Sequence, residues 1–218
     1  MNWFYRAGRI IARATFKALC HIEVNGRENV PSQGPLIIVA NHVHTLDPPL
    51  LGVTIKRKMV FMAKEELFHS RLTGYFIRGF GAFPVRRGVV DRKALRQAEH
   101  FLAQGLALAM FPEGKRSPDA QLNPAFSGAA LLAVLSGARI LPVAITGTET
   151  IEWIRSLPKR TRITVNIGYP FSLPGVDGKL TREELGELTK YIMVRLAEVL
   201  PPQYRGEYVS EETKEHEG

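Results

Sequence analysis

A short apolar run that ends in a histidine motif constrains this chain more than any other feature. Residues 35–40 (Pro-Leu-Ile-Ile-Val-Ala) are rich in β-branched side chains and predict a buried strand, and His42 follows almost at once. Asp47, with two prolines directly after it, is typical of a helix N-cap. The stretch therefore predicts a strand, a polar loop and a helix, with His42 where the strand ends.

Other segments repeat this alternation of strand and helix. We predict strands at residues 35–40, 58–63, 81–87, 106–111, 140–145 and 163–168, and helices that begin near residues 47, 64, 90, 126 and 181. Thr181 and Glu184 fit a capping box for the last helix, and Pro142 favours an edge position or a strand start. In an open α/β sheet, ligands bind where strands end and loops begin.

The N-terminal segment, residues 1–22, predicts an amphipathic helix that associates with a membrane. Apolar and aromatic side chains cover most of its circumference, and a narrow basic stripe holds Arg6, Arg9, Arg13 and Lys17. Alternatively, the apolar face packs on the protein's own core or on a second subunit. Cys20, the only cysteine, excludes an intrachain disulfide and is predicted to pack within this helix.

Length and charge predict a single catalytic unit with an anionic partner. The chain has 218 residues and 29 Lys plus Arg against 21 Asp plus Glu, a net charge of +8. Such an excess suits nucleic acid, anionic lipid or a phosphorylated substrate. We predict a catalytic domain at residues 23–200 and an acidic, mobile tail at 201–218. No apolar run approaches the roughly 20 residues that span a bilayer.

His42 and Asp47 are the candidate catalytic residues. Their five-residue separation lets the carboxylate fold back across the turn and hold one imidazole nitrogen, which leaves the other nitrogen as a proton acceptor. A histidine held in this way can deprotonate a hydroxyl near neutral pH. The alternative is that Asp47 serves only as a helix cap.

Two further loops carry charges at predicted strand ends. Arg86 and Arg87 can grip phosphate oxygens, although adjacent arginines can also form a solvated edge. The loop after residue 111 contains Glu113, Gly114, Lys115 and Arg116. In that loop the glycine allows close approach of the backbone to a ligand, the cations suit a phosphate, and the carboxylate can bond an acceptor hydroxyl or hold a cation. A solvated charged turn is the alternative.

Four stretches that the sequence contains, residues 41–47, 81–87, 111–117 and 140–145, form an ordered set of motifs. Together they resemble the four sequence blocks of the glycerolipid acyltransferase family, most closely its 1-acylglycerol-3-phosphate acyltransferase branch. The resemblance implies an α/β fold with a mostly parallel or mixed central sheet flanked by helices. It also implies an acyl-CoA or acyl-ACP thioester as co-substrate, lysophosphatidic acid as acceptor, and an anionic membrane surface at the cytoplasmic face of the cell membrane.

The resemblance also implies roles for individual residues. His42 would be the base and Asp47 its orienting partner, Arg87 would bind the acceptor phosphate, and the loop of Glu113, Gly114 and Arg116 would bind the acceptor. Pro142 and its neighbours would shape the acyl or donor site. The sequence departs from the family at three positions: His44 stands where serine is frequent, Lys115 where threonine is frequent, and Arg86 where an acidic residue is frequent.

The sequence predicts direct attack on the thioester, because no Gly-x-Ser-x-Gly elbow supplies a nucleophile. We expect no metal and no other cofactor. Three alternatives are an acyltransferase for glycerol 3-phosphate or another lyso-lipid, a non-catalytic basic module that binds membranes or nucleic acid, and a metal hydrolase with His42, His44 and Asp47 as ligands. Nucleic acid is disfavoured because its recognition motifs are absent.

Overall fold

The computed structural model of the protein describes residues 3–151, 160–174 and 180–208. Its strands are β1 Cys20–Asn25, β2 Leu36–Ala40, β3 Met59–Lys64, β4 Ala82–Val85, β5 Ala107–Met110, β6 Arg139–Thr146 and β7 Thr161–Ile167. Its α-helices are α1 Trp3–Leu19, α2 Asp47–Thr54, α3 Arg71–Gly79, α4 Arg92–Ala103, α5 Gly128–Ser136 and α6 Arg182–Glu198. Short 3₁₀ turns include Glu65–Phe68, Thr148–Thr150 and Pro202–Tyr204.

The seven strands form one mixed sheet in the order β1-β7-β6-β2-β5-β3-β4. Strands β6, β2, β5, β3 and β4 run parallel to one another, β7 is antiparallel to β6, and β1 pairs in parallel with β7. The predicted α/β architecture with a mixed sheet flanked by helices is confirmed. The loops that follow the five parallel strands therefore all lie at one edge of the sheet.

Helices cover both faces of the sheet, which explains why its central strands are apolar throughout. On one face, Ile37 and Val39 of β2 pack in a core with side chains of α4, α5 and α6. On the other face, Leu36 and Ile38 pack with Phe16 of α1 and with residues of α2. All five residues of β2 are buried, so this strand is the centre of the fold.

The predicted N-terminal helix ends earlier than its pattern indicated. Helix α1 stops at Leu19, and Cys20 begins β1, where it lies opposite Thr161 of β7. The prediction that Cys20 packs within a helix was therefore wrong. The cause is a long-range pairing with β7. Residues 20–25 lie at the edge of the sheet and alternate between buried and more exposed positions, and the helical periodicity of the local sequence does not indicate a partner strand.

Pro142 was predicted at an edge or a strand start, and this was wrong. It lies within β6, between β7 and β2. β7 ends at Ile167, and the backbone of Phe171 resumes pairing with β6 at Ile140. Pro142 lacks an N–H, and the side of β6 on which that N–H would lie faces the interruption in β7. At this interruption the Pro142 carbonyl accepts a hydrogen bond from the Gly168 N–H at 2.9 Å.

The C-terminal segment was predicted to be mobile from residue 201, but its first part packs on the domain. Residues Pro202–Tyr204 form a 3₁₀ turn, and the Tyr204 carbonyl accepts a bond from Leu122 N–H at 2.9 Å. Residues 209–218 of this prediction lie outside the described residues. Within the described ranges, no helix has both the length and the apolar character needed to span a bilayer.

Candidate active site

Asn41 ties the loop after β2 to the neighbouring strand β6. Its side chain is 2% exposed, and it donates to the Ile145 carbonyl at 2.8 Å and accepts from the Ile145 N–H at 2.7 Å. The Asn41 side chain thus makes the pair of hydrogen bonds that the backbone of a strand residue would make, and it extends the pairing of β2 with β6 by one residue. This anchoring fixes the point from which the loop at residues 41–47 departs. No role was predicted for Asn41, since the sequence around a buried asparagine does not indicate its partner.

The hydrogen bond that the spacing of His42 and Asp47 predicts is present. His42 Nδ1 lies 2.9 Å from Asp47 Oδ2, and the Asp47 side chain is fully buried. The same oxygen accepts the backbone N–H groups of Val43 at 2.8 Å and His44 at 2.7 Å. These donors stabilise a buried carboxylate in its ionised, accepting form.

Asp47 is not the N-cap that the sequence predicted. It is the first residue of α2, and Leu46 occupies the N-cap position. Its carboxylate points back to the loop because the N–H groups of residues 43 and 44 converge on it, so the helix supplies the position and the loop supplies the partners.

Phe111 packs against the imidazole of His42. Its ring stacks on His42 with 4.3 Å between centroids and 28° between planes. Because an ionised carboxylate can only accept, the proton on the imidazole lies on Nδ1, and Nε2 is the nitrogen that can accept a proton. The His42 side chain is 13% exposed.

Glu113 lies against the backbone of His42 instead of facing a ligand. Its Oε1 accepts the His42 N–H at 3.2 Å, and its Oε2 accepts the backbone N–H of Asn123 at 3.0 Å and its side-chain amide at 3.2 Å. Glu113 is 1% exposed, and this burial raises its pKa above the ordinary value, against the effect of the hydrogen bonds from Asn123 and His42. The structure thus shows Glu113 bonded to His42 and Asn123, and its predicted bond to an acceptor hydroxyl or a cation stays a prediction.

Gly114 is the residue at which the loop after β5 turns sharply. Its φ is +67°, and a Cβ there would lie 2.7 Å from the Phe126 ring. Its N–H closes the turn on the Phe111 carbonyl at 3.0 Å. A Cβ at this position would strain the left-handed backbone and displace the Phe126 ring, whereas the predicted close approach of this backbone to a ligand stays a prediction.

A cavity of about 440 Å³ adjoins this loop. Phe111 and Gly114 lie in its wall, so the cavity adjoins the ring on which His42 stacks. Most of its inner wall is apolar and comes from β3, β4, β5, α4 and α5, with Met62, Val85, Ala94, Leu95, Met110 and Leu131 among the lining residues. A pocket of this size with apolar walls and a few polar groups is typical of a small-molecule site.

Arginines border the same cavity. Arg86 and Arg87 follow β4, and Arg182 is the first residue of α6. Arg86 is partly engaged, because its Nε lies 3.6 Å from Asp91 Oδ2. Burial lowers the pKa of Arg87, and the nearby charge of Glu66 opposes this shift. Arg182 was not predicted as a site residue, because an arginine in the first turn of a capped helix is ordinarily solvated.

Six predicted site residues are not among those that line this cavity: His42, Asp47, Glu113, Lys115, Arg116 and Pro142. Lys115 and Arg116 are exposed on the loop after β5 and are not among the cavity residues. Pro142 is buried inside the sheet, where a Cβ on Gly168 would lie 2.9 Å from its Cγ. The predicted contribution of Pro142 to an acyl or donor site stays a prediction, and the structure shows this residue packed against Gly168.

A third loop at this edge contributes a residue that the sequence analysis did not single out. Thr148, in the turn after β6, donates its hydroxyl to Asp47 Oδ1 at 2.8 Å. His44, the other histidine of the proposed metal set, accepts the Leu46 N–H on Nδ1 at 3.3 Å. Over the described part of the chain, no three His, Cys, Asp or Glu side chains are grouped as a metal site.

Comparisons with known proteins identify relatives of this arrangement. Residues 21–146 match the family model described as Acyltransferase. A 1-acyl-sn-glycerol-3-phosphate acyltransferase from Streptococcus pneumoniae is 35% identical over 152 residues, which are 68% of this chain and 55% of that protein. A protein of the same name from Bacillus subtilis is 28% identical over 180 residues, 82% of this chain and 87% of that protein.

A solved structure shows the same architecture. The crystal structure of the 1-acyl-sn-glycerophosphate (LPA) acyltransferase PlsC from Thermotoga maritima superposes with a TM-score of 0.65 at 30% identity. The match covers 86% of this chain and 76% of that one. By contrast, the chain spans only about half the length of the relative from Streptococcus pneumoniae, 55%.

Proposed function

The chain belongs to the acyltransferase family, and on that premise we propose that it moves a fatty acyl group from acyl-CoA or acyl-ACP to the free hydroxyl of 1-acyl-sn-glycerol 3-phosphate, giving phosphatidic acid. One observation carries the proposal: the imidazole of His42, held by Asp47 at 2.9 Å, stacks on Phe111, which lines a cavity with apolar walls and an arginine border. The names of the relatives support the choice of acceptor.

In the proposed reaction, His42 acts as a general base. Nε2 removes the proton of the acceptor hydroxyl as its oxygen attacks the thioester carbonyl. The Asp47 carboxylate stabilises the imidazolium that forms. When the tetrahedral intermediate collapses, the C–S bond breaks and His42 returns the proton to the leaving thiolate. The thioester is already activated, so no covalent acyl-enzyme is needed.

The arginines at the cavity are the proposed binding site for the acceptor phosphate. Arg87 and Arg182 present guanidinium groups at its border, and Arg86 adds a third that is shared with Asp91. Lys115 and Arg116 extend the positive charge along the neighbouring loop, outside the cavity wall. The apolar interior is the proposed site for an acyl chain, because burial of methylene groups is the available source of affinity there.

We also propose that the protein lies on the cytoplasmic face of an anionic membrane. On α1, Ile10 is 69% and Ile11 is 66% exposed. On α3, Leu72, Tyr75 and Phe76 are also exposed. Gly8 of α1 packs against Phe80, the residue directly after α3, where a Cβ on Gly8 would lie 2.6 Å from the Phe80 ring. Exposed apolar side chains beside the basic residues of α1 suit an interfacial helix. The side chains of Trp3 and Phe4, which the sequence analysis included on this face, lie outside the described residues.

A thiol-release assay tests the reaction. Purified protein, lysophosphatidic acid and a mixture of long-chain acyl-CoA and acyl-ACP donors are combined, and the lipid product is identified by mass spectrometry. We expect phosphatidic acid and an equivalent amount of thiol. A preference for glycerol 3-phosphate or for an uncharged lyso-lipid would mean that the proposed acceptor is wrong. The absence of thiol release with any acceptor would favour a non-catalytic binding module.

Vesicle sedimentation tests the membrane proposal separately. We expect more protein to bind to vesicles that contain phosphatidylglycerol than to vesicles of phosphatidylcholine alone, with salt reducing the difference. Replacing Ile10 and Ile11 with glutamine should weaken binding to both kinds of vesicle. Unchanged binding by that variant would remove α1 from the proposed membrane surface.

A further inference from the structure

Asp47 receives a hydrogen bond from a part of the chain 101 residues away. Its Oδ2 serves His42 and two backbone N–H groups, whereas its Oδ1, among the described contacts, accepts one bond, from Thr148 Oγ1 at 2.8 Å. Both side chains are fully buried. We infer that Thr148 is a positioning residue for the general base, an inference that rests on the proposed function and extends it to a third loop.

The hydroxyl adds a donor to the oxygen that the loop donors do not hold. The loop N–H groups bond Oδ2 and Thr148 bonds Oδ1, so a turn of the carboxylate about its Cβ–Cγ bond would break contacts at both oxygens, and the plane of the group is held more firmly. That plane keeps Oδ2 in line with His42 Nδ1. The bond also favours the ionised carboxylate, because a buried oxygen without a donor disfavours the charged form.

The turn that carries Thr148 is itself held from two sides. Gly147 has a φ of +90°, and a Cβ there would lie 2.2 Å from the Arg162 carbonyl, so the turn sits tightly against β7. The Glu149 carboxylate accepts the Gly147 N–H at 2.9 Å and the Tyr204 hydroxyl of the C-terminal turn. Thr148 therefore comes from a fixed backbone, as a positioning role requires.

Several titratable groups surround this carboxylate. His42 and His44 lie on its own loop, Glu113 bonds the His42 N–H, and Glu149 lies beside Thr148 on the turn after β6. Removing only the Thr148 hydroxyl leaves all of these groups in place. A change in the pH dependence of such a variant thus reports on the lost hydrogen bond.

The test compares Thr148→Val, which keeps the shape and removes the hydroxyl, with Thr148→Ser, which keeps the hydroxyl. Thr189→Val is the matched control, because Thr189 is also buried and its hydroxyl bonds the Leu185 carbonyl at 2.7 Å away from the base. We expect kcat of Thr148→Val to fall about 10- to 100-fold, the effect of losing a hydrogen bond to a charged group. KM for both substrates should change less than about twofold, since Thr148 is proposed to touch neither.

The pH profile of kcat distinguishes a positioning role from simple destabilisation of the fold. In Thr148→Val the acidic limb of kcat should move to higher pH, because the ionised carboxylate has lost a donor. Thr148→Ser and Thr189→Val should keep the wild-type profile. Should Thr148→Val not fold, Thr148→Ala provides the same comparison with less crowding.

Two results would overturn the inference: a wild-type kcat and pH profile in the variant without the hydroxyl, or an equal defect in Thr148→Ser. Failure of the proposed function is distinguishable, because it appears as an inactive wild-type protein or as full activity in a His42→Ala variant, whatever substitution is made at position 148.

Discussion

The backbone N–H of His42 donates to Glu113 Oε1 over 3.2 Å, although the two residues are 71 positions apart. The His42 carbonyl in turn accepts the Ser117 N–H at 2.8 Å. The loop after β5 therefore holds both polar groups of the His42 backbone, while Asp47 holds its ring. The motif at residues 113–117 and the motif at residues 41–47 form one hydrogen-bonded unit.

This relationship predicts that Glu113→Gln is harmful despite its similar shape. Glutamine has one acceptor oxygen, so its NH₂ group would face the N–H of either His42 or Asn123. A buried donor left without an acceptor costs about 1–3 kcal/mol. We expect a lower unfolding midpoint in urea and a kcat reduced about tenfold or more. The exposed Glu187→Gln serves as control, and equal behaviour of the two variants would contradict the bracing role.

Replacement of the base should remove turnover without unfolding the protein. General-base assistance contributes about 10²- to 10⁴-fold, so His42→Ala should lose that factor in kcat. Membrane binding should persist, because the proposed membrane surface lies on α1 and α3. His21→Ala, an exposed histidine on β1, is the control. Substantial activity in His42→Ala, with thiol release measured under saturating substrates, would exclude the mechanism.

The arginines at the cavity should affect the acceptor more than the thioester. Arg87→Ala and Arg182→Ala should each raise the KM for lysophosphatidic acid about tenfold, because a phosphate clamp positions the acceptor and takes no part in proton transfer. The KM for the acyl donor should stay near the wild-type value. Arg96→Ala, exposed on α4, is the matched control.

Arg116 should also affect the KM for the acceptor, but from a position outside the cavity. It is exposed on the loop after β5, outside the cavity wall, so it can bind only a phosphate that extends beyond the cavity. Arg116→Ala should raise the acceptor KM with little change for the donor. An unchanged acceptor KM would confine the phosphate site to the arginines that border the cavity.

Gly114→Ala should lose more activity than its loss of folding stability explains. A left-handed backbone costs a residue with a Cβ about 1–2 kcal/mol, and here the Cβ also meets the Phe126 ring at 2.7 Å. Gly137→Ala is the matched control, since its φ of +63° is similar but its Cβ would have no neighbour within 4 Å. Both variants should unfold at lower urea concentrations, and only Gly114→Ala should show a reduced kcat. Equal activity in the two variants would mean that the close approach of Phe126 is unimportant.

Alkaline pH should destabilise the contact between the C-terminal turn and Glu149. Burial, together with the hydrogen bond to Glu149, raises the pKa of Tyr204 to about 12. Because this folded-state pKa lies above the unfolded value of about 10, the stabilisation is complete below about pH 10 and is lost as pH rises through 12. Urea unfolding across this window should show a steeper loss for the wild type than for Tyr204→Phe. Parallel curves would contradict the link.

Local patterns determined much of this protein. The spacing of His42 and Asp47 predicted their hydrogen bond, and the predicted capping box of Thr181 and Glu184 is present at the start of α6. The apolar runs predicted the central strands, and the order of four motifs indicated the family. The hydrogen bond, the capping box and the strands depend on residues a few positions apart or on the periodicity of burial, and both are recorded in a single stretch of sequence.

Only the tertiary structure decided which distant groups meet. Glu113 braces the His42 backbone, Thr148 holds Asp47, and Arg182 joins the arginines at the cavity through contacts that span the whole sheet. The place of Cys20 in a strand and of Pro142 inside the sheet likewise follows from the pairing of β1, β6 and β7. Such contacts depend on strand order and crossover, which arise from packing the entire chain and leave no signal in the neighbouring residues.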